Sequence, residues 1–309
     1  MRIVSLLPST TEICFALGLG DMVVGVTHEC DYPTEALAKP KVTSSVAHDG
    51  LSSREIDALV RTQLDGSGSI YTLDAQKLEE LQPDLILTQR LCTVCAVSIE
   101  QVQEIASTLS SKPQVVNIEP RSMGEVWASF RKIAQICDSA AYCAPIIVAL
   151  EARYRNVLNL VRGLSEPTPK VMLLEWIDPP FASGHWIPEI VEKAGGKNTV
   201  SFRERPSREI SWTEVWQSNA DFIVFAACGM GVGWQKKEIE IILGEQGLSG
   251  LAGESVGMPK IWICDGSHYF SRPGPRLVET TELLATILHP ELKAEFGSKF
   301  RSGVDYEKF

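Results

Sequence analysis

From Met123 to Arg162 the apolar residues recur at intervals of three and four: Val126, Trp127, Phe130, Ile133, Ala134, Ile136, Cys137, Ile146, Ile147, Leu150, Tyr154, Val157, Leu158 and Val161. Over about ten turns this spacing predicts a long helix with one buried stripe. Pro145 has no amide N–H, and its ring crowds the preceding turn, so a kink or break is expected near Cys143. On either side of this stretch, short continuous apolar runs alternate with helically periodic segments. The first half predicts strands at 2–7, 22–27, 85–88 and 114–118 and helices at 53–64, 74–81 and 99–109. A further helix there opens on a capping box, Ser9 with Glu12, and ends before Gly18. After a stiff Pro167-Thr168-Pro169 linker the plan repeats, with strands at 170–176, 221–226 and 260–264 and helices at 187–194, 236–243 and 275–288. A second capping box, Ser211 with Glu214, opens a short helix to Gln217.

Leu81-Gln-Pro-Asp-Leu-Ile-Leu87 and Ser218-Asn-Ala-Asp-Phe-Ile-Val224 read as one element used twice. In each, an Asp precedes the apolar run and a loop follows it. The expected fold class is therefore α/β: two α/β lobes with central, mostly parallel sheets, joined by one long α-helix. The boundaries fall at 1–120, 121–165 and 166–309.

Composition narrows the function by exclusion. The length, 309 residues, suits two domains of ordinary size. A net charge of −10 with no basic run excludes nucleic acid and anionic membrane surfaces as partners. No apolar stretch approaches the ~18 residues of a membrane span, so the chain is not membrane-embedded. Arg2 to Pro8 does not read as a signal segment. As written, the chain is expected to be cytoplasmic, and periplasmic or extracellular if a leader has been removed. A monomer is expected. Of the eight cysteines, most fall at apolar positions and read as buried thiols.

In open α/β sheets, ligands sit beyond the carboxyl ends of the strands. Those loops contain Ser9, Tyr32, Tyr71, Gln89 and Arg90 in the first half, and Trp176, Phe181, His185, Trp186, Trp234 and Tyr269 in the second. Exposed apolar rings with a few polar groups suit a sizeable, partly apolar small molecule; plugging the ends of the lobes as core is the other use of such rings. Gly229-Met-Gly-Val-Gly-Trp234 lacks the Lys-Ser/Thr of a phosphate loop and reads as backbone close to a ligand. No Gly-x-Ser-x-Gly elbow, Walker loop or His-Glu-x-x-His is present, so an enzyme is not expected.

Six segments carry a family resemblance: Arg2-Ile-Val-Ser-Leu-Leu-Pro-Ser-Thr-Thr-Glu12, Val26-Thr-His-Glu-Cys-Asp-Tyr-Pro33, Leu81 to Leu87, Gln89-Arg-Leu-Cys-Thr-Val-Cys-Ala96, Ala194-Gly-Gly-Lys-Asn198 and Tyr269-Phe-Ser-Arg-Pro-Gly-Pro-Arg276. Together they resemble the substrate-binding proteins of ABC importers for cobalamin, haem or ferric siderophores, and most of all the cobalamin-binding branch. The resemblance implies cobalamin, or a related corrinoid or tetrapyrrole, held between the lobes against Tyr71, Gln89, Trp176, Phe181, Trp186 and Tyr269. It also implies an ABC permease as partner, docked through Glu100 and Glu238. A ferric siderophore fits less well, because Arg90, Arg272 and Arg276 are the only basic residues ready for an anionic ligand. The chain departs from the pattern in showing no leader or lipid-attachment cysteine, in carrying Arg90 where an acidic residue is expected, and in its thiols.

Those thiols define the alternative function. Cys92-Thr-Val-Cys95 has metal-ligand spacing, and His28 with Cys30 ends a strand of the same lobe. The four residues form a Cys₃His set for zinc or iron, a redox dithiol with a histidine nearby, or plain loop packing. His28 and His185 are also candidate ligands to the metal of a bound corrinoid or haem.

Overall fold

The computed structural model describes residues 1–45, 50–65, 71–90, 97–164, 167–245 and 258–309. The chain divides into two compact units. One comprises residues 1–51, 55–120 and 124–149. The other comprises 52–54, 121–123 and 150–309.

In the first unit the strands are β1 (Ile3–Ser5), β2 (Val23–Val26), β3 (Thr43–Ser45), β4 (Tyr71–Leu73), β5 (Leu85–Thr88) and β6 (Gln114–Asn117). Four of them form a parallel sheet in the order β2-β1-β5-β6. Its central strands are buried throughout, Ile3, Val4, Leu85, Ile86 and Leu87 together with the polar Ser5 and Thr88, as a sheet covered on both faces requires. The helices are α1 (Pro8–Ala16), α2 (Ser53–Asp65, whose first two residues fall in the other unit), α3 (Ala75–Leu81) and α4 (Ile99–Thr108).

Two local features differ from expectation. Helix α1 begins at Pro8, with Leu7 in the N-cap position and no side-chain cap. Proline suits the first helical position because its missing N–H would have found no partner there. Ser9 and Glu12 thus fall inside the helix, both buried, and no capping box forms. The second difference is the antiparallel pair β3–β4, which sets Ser45 opposite Tyr71. The long interval between the strands hid that pairing in the sequence.

The second unit holds β7 (Lys170–Trp176), β8 (Phe181–Ala182), β9 (Lys197–Asn198), β10 (Arg208–Glu209), β11 (Phe222–Phe225), β12 (Lys260–Cys264) and β13 (Tyr306–Lys308). The sheet order is β10-β8-β7-β11-β12-β13, with β9 pairing β7. Strands β7, β11 and β12 run parallel, and β8, β10 and β13 add antiparallel edges.

The repeat read from the sequence has a physical form. Gln82 (φ 44°) and Asn219 (φ 50°) both adopt the left-handed conformation. Two residues later Asp84 and Asp221 make matching contacts. The carboxylate of Asp84 accepts the Arg2 amide at 2.7 Å, and that of Asp221 accepts the Lys170 amide at 2.7 Å. Their carbonyls accept from Gln114 and Lys260 at 2.9 and 2.8 Å. In both units one aspartate therefore aligns the starts of three adjacent parallel strands.

The long periodic stretch is two helices, α5 (Met123–Ile136) and α6 (Ala140–Arg162). The chain turns at Asp138, which adopts φ 51°, and Ser139 N–H closes onto the Ala134 carbonyl at 2.8 Å. An Asp tolerates that conformation better than most residues. Pro145 does not break α6; it lies in the second turn, where it removes one hydrogen bond of the ladder. Helix α6 is the long helix that runs from one unit into the other, residues 140–149 belonging to the first and 150–162 to the second. Its first half is anchored by Cys143, whose thiol donates to the Leu17 carbonyl at 3.6 Å.

Its second half is anchored by Arg153, whose Nε and terminal nitrogen grip both oxygens of Glu282 at 2.7 and 2.6 Å. Glu282 belongs to α10 (Leu277–Leu288) and is only 1% exposed. Val161 approaches the chain turn at Gly195 (φ +88°), where an added Cβ would stand 2.6 Å from its methyl group. The remaining helices of this unit are α7 (Ile187–Lys193), α8 (Trp212–Gln217), α9 (Val232–Glu245) and α11 (Lys293–Phe296). Helix α8 opens on the expected Ser211–Glu214 capping box.

Breaking the Arg153–Glu282 pair leaves a buried carboxylate with Lys299, 3.0 Å away, as its remaining cation. Arg153→Met is expected to lower unfolding stability by about 2–3 kcal/mol, and Arg153→Met with Glu282→Leu to recover most of the loss. Urea denaturation of the single and double variants measures both.

Candidate ligand-binding residues

In the first unit the chain leaves the carboxyl end of β2 through Thr27 and His28. Thr43, on β3, holds this corner: its hydroxyl accepts the His28 amide at 3.0 Å and pairs with His28 Nδ1 at 2.8 Å and with Thr27 Oγ1 at 2.8 Å. The adjoining β4 supplies Tyr71, whose ring lies 5.5 Å from the imidazole between centroids. The Tyr71 hydroxyl donates to Glu29 Oε1 at 2.7 Å. Burial lowers the pKa of His28, against the opposing pull of Glu29. A neutral imidazole, a phenol and a carboxylate thus share one corner at the end of a parallel strand. Glu29 and Thr43 were not expected here. Glu29 had a signal in its place beside His28; Thr43 had none without the β3–β4 pairing.

The other first-unit candidates are more scattered. Ser9 is buried within α1, and Tyr32 is 45% exposed. Gln89 is partly buried, following β5. Arg90 is exposed, with its Nε 3.9 Å from Glu100 on the first turn of α4. An exposed pair at that distance contributes little to stability.

The second unit gathers more of its candidates. Strand β7 ends in an irregularity at Glu175, after which Trp176 stands opposite Phe181 of β8. The Glu175 carboxylate accepts the Gly184 amide at 3.2 Å, and burial raises its pKa. Gly184 has no room for a side chain; a Cβ would lie 2.6 Å from the Arg205 carbonyl oxygen. His185 follows at φ 54°, its amide donating to that same carbonyl at 2.7 Å. The His185 and Trp186 rings are 5.6 Å apart. Trp186 in turn donates its indole N–H to the Phe270 carbonyl at 3.1 Å, next to Tyr269.

Tyr269 sits in a π-helical turn, Gly266–Phe270, packed edge-on against Phe300. Burial and the neighbouring Asp305 raise the pKa of its hydroxyl. Helix α9 starts at Val232, four residues before the expected boundary, so Trp234 lies on its first turn rather than in a Gly-rich loop. The Trp234 ring is 6.2 Å from that of Trp176. Asp265, a buried residue just past the end of β12, accepts both the His268 amide and its Nδ1, at 2.8 and 2.7 Å.

Half of the proposed thiol site lies outside the described residues: Cys92 and Cys95. Of the other half, Cys30 is 1% exposed, with its sulfur 3.1 Å from Thr11 Oγ1, while His28 Nδ1 is engaged with Thr43. Among the described residues no group of three or more His, Cys, Asp or Glu could hold a metal ion. The permease-docking candidate Glu238 also has partners: its Oε2 accepts from both the amide and the hydroxyl of Ser53 at 2.7 Å.

Aromatic faces, a neutral imidazole and backbone groups at the carboxyl ends of parallel strands can bind and orient a small molecule. This is the equipment of a substrate-binding protein. The chain belongs to the periplasmic binding protein family, whose sequence profile matches residues 3–250. It is therefore a binding protein by family, not an enzyme.

Among its relatives, the ABC transporter substrate-binding lipoprotein YvrC of Bacillus subtilis is 24% identical over 94% of this chain and 80% of its own length. The vitamin B12-binding protein of Vibrio cholerae is 22% identical over 93% of this chain and 88% of its own. Among solved structures, the periplasmic heme binding protein HutB of Vibrio cholerae has a TM-score of 0.67 at 18% identity, covering 94% of this chain and 99% of that one. These names, periplasmic protein and lipoprotein, give the cytoplasmic expectation no support. Among the described residues no helix is long and apolar enough to cross a membrane.

Two histidines, His28 partly buried and His289 buried, make stability pH-dependent. Burial depresses the pKa values of both His28 and His289. With the folded value below the unfolded one near 6.5, the full contribution is present above about pH 6.5 and is lost as pH falls through the folded value. Denaturation midpoints should drop over that acid window, and His28→Gln and His289→Gln should each flatten the drop.

Proposed function

We propose that this protein is the substrate-binding component of an ABC importer and that its ligand is a corrinoid or related tetrapyrrole, cobalamin first. The reading rests on one observation above the rest: at the carboxyl end of β7 the Trp176 ring meets that of Trp234, and Phe181 pairs with Trp176 across the strands, all three partly exposed where an α/β sheet takes its ligands. Large flat rings suit a large flat ligand, and the relatives named as vitamin B12-binding proteins favour a corrinoid. His185, Trp186 and Tyr269 extend the aromatic surface in this unit. Tyr71, Tyr32, Gln89, Arg90 and Ser9 are the contributors proposed from the first. The protein works outside the cytoplasm in this reading and delivers its ligand to a permease, with Glu100 as the exposed docking carboxylate and Glu238 as its proposed counterpart.

Haem is the second reading. It is favoured by the neutral His28 imidazole beside the Tyr71 phenol, two side chains able to ligate iron, and by the heme-binding proteins of the same fold. Parallel titrations with aquocobalamin and hemin, followed by calorimetry and by the ligand's absorption bands, separate the two. Cobalamin is expected to bind with a band shift, and Trp176→Ala to weaken it by at least about tenfold, the loss of a large aromatic contact. Binding of hemin alone would replace the corrinoid reading, and binding of neither would end both.

A further inference from the structure

We propose that Glu238 is a positioning residue for the aromatic ligand surface, fixing the Trp176 indole through Ser53. This rests on the binding role assigned to Trp176 above. Residues 52–54 cluster with the second unit, so the whole chain of contacts lies within it. One carboxylate oxygen of Glu238 accepts two hydrogen bonds from Ser53, from its amide and its hydroxyl, each 2.7 Å. Ser53 is 1% exposed, and its carbonyl accepts the Trp176 indole N–H at 3.3 Å. Trp176 then stands against Trp234, with ring centroids 6.2 Å apart and planes inclined by 39°.

The arrangement is built into the period of α9. Trp234 and Glu238 are four residues apart, so they occupy one face of that helix on successive turns. Glu245, about two further turns along, accepts from Arg54 at 3.2 Å, and Asp178 accepts from Arg54 Nε at 2.6 Å. A single helix face thus carries the ring that meets Trp176 and the carboxylate that holds the residue to which Trp176 is bonded.

The chemistry fits the task. The Ser53 amide begins a helical segment and has no acceptor within it, so an acceptor from elsewhere is favoured. Glu238 supplies the acceptor that a capping side chain would otherwise provide, and its charge strengthens both bonds. With its amide and hydroxyl both tied down, Ser53 presents its carbonyl in one direction. The indole N–H of a partly buried tryptophan needs such an acceptor, so the ring is held at one tilt. A ligand meeting a ring already oriented loses less freedom on binding than one that must order it.

Near-UV circular dichroism of the ligand-free protein tests the positioning directly, because the Trp176–Trp234 pair gives a signal that depends on the angle between the rings. Glu238→Ala is expected to diminish that signal and to weaken aquocobalamin binding about tenfold. Glu238→Gln keeps an acceptor oxygen and should restore most of both. In a Trp234→Phe background, Glu238→Ala should change the spectrum no further, since the pair is already gone. If Glu238→Ala does not fold, Ser53→Ala removes one of the two bonds and should shift the same readouts in the same direction. The inference is overturned if these variants lower only the denaturation midpoint while spectrum and affinity stay at wild type. If the wild-type protein binds no aquocobalamin the proposed ligand falls, but the spectra of the ligand-free variants still decide the role of Glu238.

Discussion

The Arg153–Glu282 ion pair is the interaction on which the second unit is hung. A carboxylate on an apolar helix, 1% exposed, is tolerable only when a cation meets both of its oxygens, and the planar guanidinium does so. The bond fixes the rotation of α6 against α10, because a bidentate contact permits one mutual orientation. The packing of Val161 beside Gly195 follows from that rotation, and with it the turn that follows α7. The other half of α6 needs no buried charge; a thiol on a carbonyl and apolar packing suffice there.

The two sheets obey a second constraint, the aspartate at their base. Parallel strands carry no hairpin to set their register, so something else must align their starts. Asp84 and Asp221 do this in the same way, each after a left-handed residue and each engaging the strand on either side. Register matters at the other end of the strands, where it decides which side chains emerge. Trp176 emerges opposite Phe181 because β7 runs in register from Lys170 to its irregularity at Glu175. The aromatic surface is thus a consequence of alignment set six residues earlier on the same strand.

The second unit uses its polar groups for orientation. Its polar groups mostly hold rings: Ser53 holds Trp176, the Phe270 carbonyl holds Trp186, and Asp265 holds His268. Among the described residues, burial strongly raises the pKa values of two cysteine sulfurs, Cys14 within α1 and Cys264 at the end of β12, and both are poor nucleophiles in that state. A binding surface made of fixed rings and neutral donors is consistent with the family to which the chain belongs.

The sequence determined the architecture. Alternating apolar runs and helical periods located the parallel strands, the Ser211–Glu214 box located α8, and the repeated Asp-apolar motif exposed the duplication, because each of these is a local signal. It also identified Trp176, Phe181 and Trp234 as candidates, since large aromatic residues beside strand ends have few uses. Tertiary structure decided what local signals do not carry. It put the helix break at Asp138 rather than near Pro145, because a left-handed residue ends a helix more decisively than a proline in its second turn. It began α1 at Pro8 and so removed Ser9 from the cap. It brought Tyr71 to His28 and Glu29 through a pairing of strands some 28 residues apart in sequence. It also joined Ser53, Trp176 and Glu238 across 185 residues of chain. Side chains that meet over such separations leave no periodic trace, since their proximity is fixed only when the sheets and helices that carry them have packed.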